Sequence, residues 1–232
     1  MQILLDKVIH VFLPNQCMFC HAPVEYDKTV CEICAENAPV THQGICLACG
    51  KKNCTCQGTF FTELICPFYY ELGVDIAIQD MKFKHNRFNA RKLAIYMSQS
   101  LQSKDYCNEI DLILPAPMYH SDKVKRGYNQ AALLAKWISK YTKIPYDENI
   151  LVKVRKTKKQ HDINFIERQK NLNNAFAVED EKQVAGKTIL LCDDVYTTGA
   201  TLNSCSKILI ENKAKKVYLL TASKTRIDSE VL

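Results

Sequence analysis

Two adjacent carboxylates followed by a hydroxyl-rich turn stand out in this sequence. Asp193 and Asp194 come directly after a mostly apolar run at residues 188–192. The turn that follows contains Thr197, Thr198, Gly199, Ala200 and Thr201. Hydroxyls and backbone amides at the start of a helix bind phosphate oxygens, and carboxylates accept hydrogen bonds from sugar hydroxyls or metal-bound water. The pattern therefore indicates a site for a sugar that carries a phosphate and vicinal hydroxyls.

A strand, a loop and a helix must position these groups. Residues 188–192 are typical of a fully buried strand in a parallel sheet, and apolar residues recur at helical spacing between 202 and 209. Gly199 lets the backbone approach a phosphate without interference from a Cβ atom. The turn contains no Walker lysine and lacks the three glycines of a dinucleotide-binding turn. An acidic turn that caps a core helix is the alternative interpretation.

The segment ILLCDDVYTTGAT resembles the phosphoribosyl-pyrophosphate (PRPP) motif of type I phosphoribosyltransferases. The resemblance implies that Asp193 and Asp194 meet the 2′ and 3′ hydroxyls of the ribose. It implies equally that residues 197–201 hold the 5′-phosphate, and that Mg²⁺ accompanies PRPP.

Eight of the twelve cysteines form close pairs near the N-terminus. They are Cys17, Cys20, Cys31, Cys34, Cys46, Cys49, Cys54 and Cys56. Two CxxC turns bring four thiolates to one ion, which is the ligand set of structural Zn²⁺, although the last pair has the tighter CxC spacing. We predict two structural zinc sites. Pairing of the first four and the last four cysteines keeps each loop short, and interleaved pairing stays open.

Charge separates an N-terminal head from the rest of the 232-residue chain. Residues 1–66 carry a formal charge of −2 and residues 67–232 a charge of +8. A polyanion should therefore meet the second part, while the head serves protein contact or completion of the fold. We expect an N-terminal helix and double zinc ribbon at residues 1–62 and an α/β domain at residues 63–232.

The N-terminal run at residues 1–13 is apolar but is interrupted by Asp6 and Lys7. It is too short and too charged for a membrane span or a signal peptide, so a short amphipathic helix is expected. The expectations that follow are no membrane span and a cytoplasmic location.

Strands alternate with helices over most of the remaining chain. Strands are predicted at residues 65–71, 110–114, 150–154 and 216–222, helices at 74–83, 90–101 and 129–141, and a basic loop at 119–127. Such alternation predicts an open parallel sheet with helices on both faces and a ligand site at its carboxyl edge.

A basic group between the first two helices contains Lys82, Lys84, His85 and Arg87. It could face a phosphate, but a solvated surface is the favoured interpretation.

The segment LPAPMYHSDKVKRGYNQAALLA resembles the PxPxxxxxxxxRGxNQxxxLA pattern of ComF-type competence proteins. Together with the cysteine pairs, the resemblance covers almost the whole chain and implies a double zinc ribbon joined to a type I phosphoribosyltransferase-like domain. It implies a pyrophosphate loop that contains Ala116, Pro117, Met118 and Arg126. A basic run with Arg155, Lys156, Lys158 and Lys159 corresponds to the flexible loop that closes over PRPP, and a solvated surface is its alternative interpretation.

The ComF resemblance implies a role in the handling of single-stranded DNA during natural transformation, with competence or recombination proteins as partners. Its phosphoribosyl site either binds PRPP, or the 5′-phosphorylated end of a nucleic acid, or transfers ribose 5-phosphate to a nucleobase or amine. The sequence leaves this choice open. A scaffold with a vestigial site is disfavoured, because both acids and all three threonines are present.

Overall fold

The computed structural model of the protein describes residues 15–41, 46, 48–49, 58–156 and 175–226. In chain order the elements are α1 (Glu32–Glu36), β1 (Leu64–Ile65), β2 (Phe68–Tyr69), α2 (Val74–Phe83), α3 (Phe88–Gln102), β3 (Leu112–Pro115), α4 (His120–Arg126), α5 (Gln130–Thr142), β4 (Leu151–Lys153), β5 (Phe176–Val178), β6 (Thr188–Tyr196), α6 (Ala200–Glu211) and β7 (Lys216–Lys224). The helix predicted at residues 1–13 lies outside the described residues, as do Cys54, Cys56, Lys158 and Lys159.

Strands β1, β2, β3, β6 and β7 form one parallel sheet. Strand β6 lies between β3 and β7, and both short strands β1 and β2 pair with the outer edge of β7. Among the described helices, none is long and apolar enough to cross a lipid bilayer.

Helices cover both faces of this sheet, because successive residues of β6 point to opposite sides. Leu190 and Cys192 join one core cluster with α2, α3 and α5, whereas Ile189 and Leu191 join a second cluster with α6. The predicted open parallel sheet with helices on both faces is confirmed.

Helix α5 begins where the sequence predicts. Asn129 is its N-cap, and the Asn129 side chain accepts a hydrogen bond from the Ala131 N–H at 3.0 Å. The basic loop predicted at residues 119–127 is wrong over most of its length, because residues 120–126 form helix α4. Gly127 ends that helix with a φ of +82°, in the left-handed conformation that glycine adopts without strain.

Two strand predictions are corrected in detail. Residues 65–71 do not form one strand: Pro67, which has no N–H to donate to a ladder, separates β1 from β2. Strand β4 forms within residues 150–154, but it lies outside the parallel sheet and pairs antiparallel with β5.

The cysteine-rich segment packs directly onto the α/β body. Met18 and Phe19 are each 1% exposed and belong to the core cluster that includes α2 and α3. The Phe19 ring meets Phe68 edge-on with 5.7 Å between centroids. Gly73, with a φ of +92°, approaches so closely that an added Cβ would lie 2.6 Å from the Phe19 Cβ. The ribbon thus completes the core of the body.

We expect Gly73→Ala to destabilise the protein by about 2–5 kcal/mol, because it combines the left-handed backbone with overpacking against Phe19. Gly186→Ala is the matched control, since Gly186 has a φ of +73° but no atom within 4 Å of an added Cβ. It should cost only about 1–2 kcal/mol. Denaturant unfolding measures both, and equal losses would contradict the packing of Phe19 on Gly73.

Candidate functional site

The residues of the predicted sugar-phosphate site lie at the carboxyl edge of the sheet. Strand β6 ends at Tyr196 and helix α6 begins at Ala200. A cavity of about 220 Å³ opens there, lined by Lys82 and residues 193–202. The structure therefore brings both acids and the hydroxyl loop (residues 197–201) to one cavity. Its volume is below the roughly 300–1,000 Å³ of sites for drug-sized ligands, which suits a ligand of sugar-phosphate size.

The hydroxyl loop leads into the positive end of helix α6. The N-cap of this twelve-residue helix is Gly199, which has no side chain to accept hydrogen bonds from the first-turn amides. Those amides and the helix dipole favour an anion. Thr197, Thr198 and Thr201 also line the cavity, and a threonine hydroxyl is a further hydrogen-bond donor for an anion. A phosphate can bind here without a lysine in the loop.

Gly199 is required for a reason that the sequence did not indicate, in addition to the expected approach of a phosphate, which stays a prediction. Its φ is +71°, and an added Cβ would overlap the Tyr196 hydroxyl oxygen and the ring carbon that bears it. The missing side chain therefore makes room for the Tyr196 ring, which is buried and meets Phe61 edge-on at 6.5 Å.

The two acids meet different partners. Asp194 is 8% exposed, and its Oδ1 lies 2.8 Å from the Lys82 ammonium on helix α2. Asp193 lies on the side of helix α6, and its Oδ1 accepts a hydrogen bond from the Asp194 N–H at 2.8 Å. Asp194 is therefore paired with a lysine, while Asp193 accepts a hydrogen bond from a backbone amide and has the charges of Lys82 and Lys153 nearby.

Burial and neighbouring charge shift the titration of this cluster. Burial, and then the Asp194 charge, raise the pKa of Asp193 to about 7. Burial lowers the pKa of Lys82, but the Asp194 carboxylate outweighs it, so that the net shift is upward. Lys82 therefore stays charged at neutral pH, whereas Asp193 titrates there.

Lys82 was not among the site residues predicted from the sequence. The sequence places it in the basic group with Lys84, His85 and Arg87, for which a phosphate-facing loop was the alternative and a solvated surface the favoured interpretation. Only the packing of α2 against the sheet turns the Lys82 side chain toward Asp194. Lys153 stands at the start of the basic run noted in the sequence. Burial lowers its pKa, and the Asp193 charge acts on it in the opposite sense.

The predicted pyrophosphate loop starts beside the acids. The Ala116 N–H donates to the Cys192 carbonyl at 2.7 Å, and Asn129 Nδ2 donates to the Ala116 carbonyl at 2.9 Å. Ala116, Pro117 and Met118 do not line the described cavity. Asn129 thus ties the start of helix α5 to this loop, and the role of the loop stays a prediction.

Arg126 is held away from the cavity lining. Its Nη1 donates to Gln130 Oε1 at 2.9 Å, and its guanidinium lies 5.6 Å from the centre of the exposed Phe83 ring. Its assignment to pyrophosphate also stays a prediction. Arg155 and Lys156 are exposed just beyond strand β4, and the rest of their basic run lies outside the described residues.

Four cysteines form the expected metal cluster. The Sγ atoms of Cys17, Cys20, Cys31 and Cys34 all lie within 4.8 Å of one another. Four thiolates around Zn²⁺ at about 2.3 Å have sulfur separations of about 3.8 Å. The Cys20 and Cys31 sulfurs are 3.7 Å apart, so the cluster fits Zn²⁺ with the first four cysteines as ligands.

A second site is described only in part. The Cys49 N–H donates to the Cys46 carbonyl at 3.3 Å, as in a CxxC turn. Their expected partners lie outside the described residues, so the ligand set of this site stays a prediction.

Comparison with known proteins agrees with this arrangement. Residues 125–229 match the phosphoribosyl transferase domain family, and residues 8–68 match the double zinc ribbon domain family. Competence protein F of Haemophilus influenzae is 30% identical over 205 residues, which cover 77% of this chain and 90% of that protein. The chain belongs to the ComF family. The resemblance drawn from the sequence is confirmed.

This ComF-family chain is also similar to two further proteins. DNA utilization protein YhgH of Escherichia coli O157:H7 is 27% identical over 212 residues, which cover 90% of each chain. Competence protein ComFC of Bacillus subtilis is 31% identical over 120 residues, or 51% of this chain and 47% of that protein.

Relative to the wild type, the Asp193→Asn variant should become increasingly stable as the pH rises. A folded-state pKa of about 7 against an ordinary 3.8 means that the folded protein disfavours the carboxylate, at a cost that begins near pH 4 and is complete above pH 7. We expect the stability gap between the variant and the wild type to move in favour of the variant by roughly 1–3 kcal/mol between pH 5 and pH 8.

Thermal and urea unfolding at pH 5, 7 and 8 measure this gap. Asp147→Asn, outside the cavity lining, is the control for the loss of one carboxylate. A gap for Asp193→Asn that stays constant across this pH range would contradict the burial of the Asp193 carboxylate.

Proposed function

We propose that this ComF-family protein binds PRPP or a related sugar phosphate, and that it acts in DNA uptake during natural transformation by handling single-stranded DNA in the cytoplasm. The observation that carries the proposal is the single cavity in which the acid pair faces the start of helix α6. In this arrangement Asp193 and Asp194 bind the ribose diol, and the hydroxyl loop binds the 5′-phosphate.

The relatives support the second half of the proposal. Their names connect them with competence and with DNA utilization. The part of the chain after residue 66 carries a formal charge of +8, which favours contact with a polyanion. Competence or recombination proteins are the protein partners that fit this role.

We expect Mg²⁺ to bind together with PRPP and not to the protein alone. A pyrophosphate group carries its own oxygen ligands for Mg²⁺, and the ion commonly keeps waters to which carboxylates such as Asp193 hydrogen-bond. Because the Lys82 ammonium already meets Asp194, we expect Mg²⁺ to arrive with the ligand rather than to occupy the acid pair beforehand.

A working transferase is the second candidate, favoured by the presence of both acids at the cavity that would hold the anomeric carbon. Incubation with PRPP, Mg²⁺ and a panel of nucleobases and amines separates the two. Release of pyrophosphate would establish turnover. Binding without release would favour a module that couples sugar-phosphate binding to DNA handling.

Replacement of both Asp193 and Asp194 by alanine should reduce PRPP affinity at least about 100-fold while the protein stays folded, because each acid accepts hydrogen bonds from the ribose. Titration calorimetry measures the affinity and circular dichroism the fold. The matched control removes the adjacent acids Asp147 and Glu148, which do not line the cavity. Undiminished affinity in the Asp193/Asp194 variant would remove the ribose assignment.

Neutralisation of Lys156, Lys158 and Lys159 should weaken binding of single-stranded DNA. If each lysine contacts a phosphate, the slope of log affinity against log salt should become shallower by roughly 2. Fluorescence anisotropy with a labelled oligonucleotide at several salt concentrations measures the slope. Removal of the three exposed lysines Lys136, Lys207 and Lys215 controls for total charge. An unchanged slope would place the DNA contact on another surface.

A further inference from the structure

Lys82 occupies a place in the cavity that no sequence motif assigns. It is the only lining residue of the described cavity that comes from outside residues 193–202. Its ammonium lies 2.8 Å from Asp194 Oδ1, and the two side chains are only 21% and 11% exposed. The cation and the carboxylate are thus largely withdrawn from water, and each depends on the other for neutralisation.

Helix α2, which carries Lys82, is held in place by contacts with three other segments. Asp80, two residues before Lys82, is 4% exposed, and its Oδ2 lies 2.6 Å from His21 Nε2 of the zinc ribbon. The Tyr128 hydroxyl donates to the Met81 carbonyl, and Asn89 Nδ2 donates to the Ala77 carbonyl at 3.0 Å. The last turn of α2 is therefore fixed by the ribbon, by α3 and by the segment before α5.

Binding of a ribose changes the surroundings of this lysine. On the proposed function, on which this inference rests, the ribose diol takes hydrogen bonds at the acid pair and competes with Lys82 for Asp194. Lys82 is largely buried, and its carboxylate partner would then also accept hydrogen bonds from the ribose. A second negative group beside the ammonium would therefore stabilise its charge. C1 and C2 of a ribose are bonded to each other, so a phosphate on C1 lies beside the 2-hydroxyl that the acid pair holds.

We propose that Lys82 binds the anionic group on C1 of the sugar, and that it thereby selects a ribose with two phosphorylated positions over ribose 5-phosphate. The lysine bridges Asp194 and the C1-linked phosphate, while the hydroxyl loop holds the 5′-phosphate at the other end. A ligand without the C1 phosphate leaves Lys82 to compete with the diol, and it binds more weakly for that reason.

Calorimetric titrations of PRPP and of ribose 5-phosphate, each with Mg²⁺, test this selection. The wild type should bind PRPP about 10- to 100-fold more tightly than ribose 5-phosphate, the range expected for one hydrogen-bonded charge pair. Lys82→Met should lose that factor for PRPP and change the affinity for ribose 5-phosphate less than about threefold. Lys82→Arg should restore most of the discrimination, because it keeps the charge. Lys136→Met, a lysine that does not line the cavity, is the matched control.

Loss of the lysine leaves Asp194 without its cation, so Lys82→Met is accompanied by Lys82→Gln, which keeps a donor for Asp194 without the charge. Both variants should show the same loss of discrimination. Equal losses for the two ligands would mean that Lys82 only orients Asp194, and unchanged affinities would mean that it does neither. Either result overturns the inference and leaves the proposed function intact. A wild-type protein that binds neither ligand would overturn the proposed function itself.

Discussion

The structure depends on strand β6, which is paired along both edges and packed on both faces. Its register against β3 and β7 is fixed over the apolar stretch, with Leu191 opposite both Leu114 and Leu219. A shift by one residue would exchange the side chains of the two core clusters. Because the register cannot slip, the acids at the end of the strand have fixed positions at the edge of the sheet, with Asp193 opposite Thr221.

A cavity that contains two carboxylates is an unusual place for a phosphate, and the charges around it show how the conflict is reduced. Lys82 neutralises Asp194 from the side of α2, and the pKa of Asp193 is raised to about 7 by its burial and by Asp194. Lys153 contributes positive charge on the side of Asp193. The helix dipole of α6 adds positive potential at the hydroxyl loop. The cavity is therefore far less negative than its two acids alone would make it.

The sequence predicts those parts of the protein whose signals are local. The apolar run before Asp193, the cap at Asn129 and the CxxC spacing each fix the local conformation within a few residues. Helix α4 was missed because it buries no residue, so that it has no apolar periodicity. The contact of Lys82 with Asp194 and the pairing of β4 with β5 were not predicted, because both depend on contacts between segments far apart in the chain. The common position of residues 193–201 at the edge of the sheet was thus predictable from the sequence, but the approach of Lys82 to Asp194 was not.

The contact of Phe19 with Gly73 has a consequence for how the protein can be divided. Two sequence families meet in this chain, and their matched segments, residues 8–68 and 125–229, do not overlap. The ribbon nevertheless packs into the core of the body. A fragment that lacked it would remove the Phe19 ring from Phe68, which would keep its aromatic contact with Tyr96, and would expose the surface beside Gly73. The chain thus matches two separate sequence families, but residues of the ribbon and of the body share one hydrophobic core.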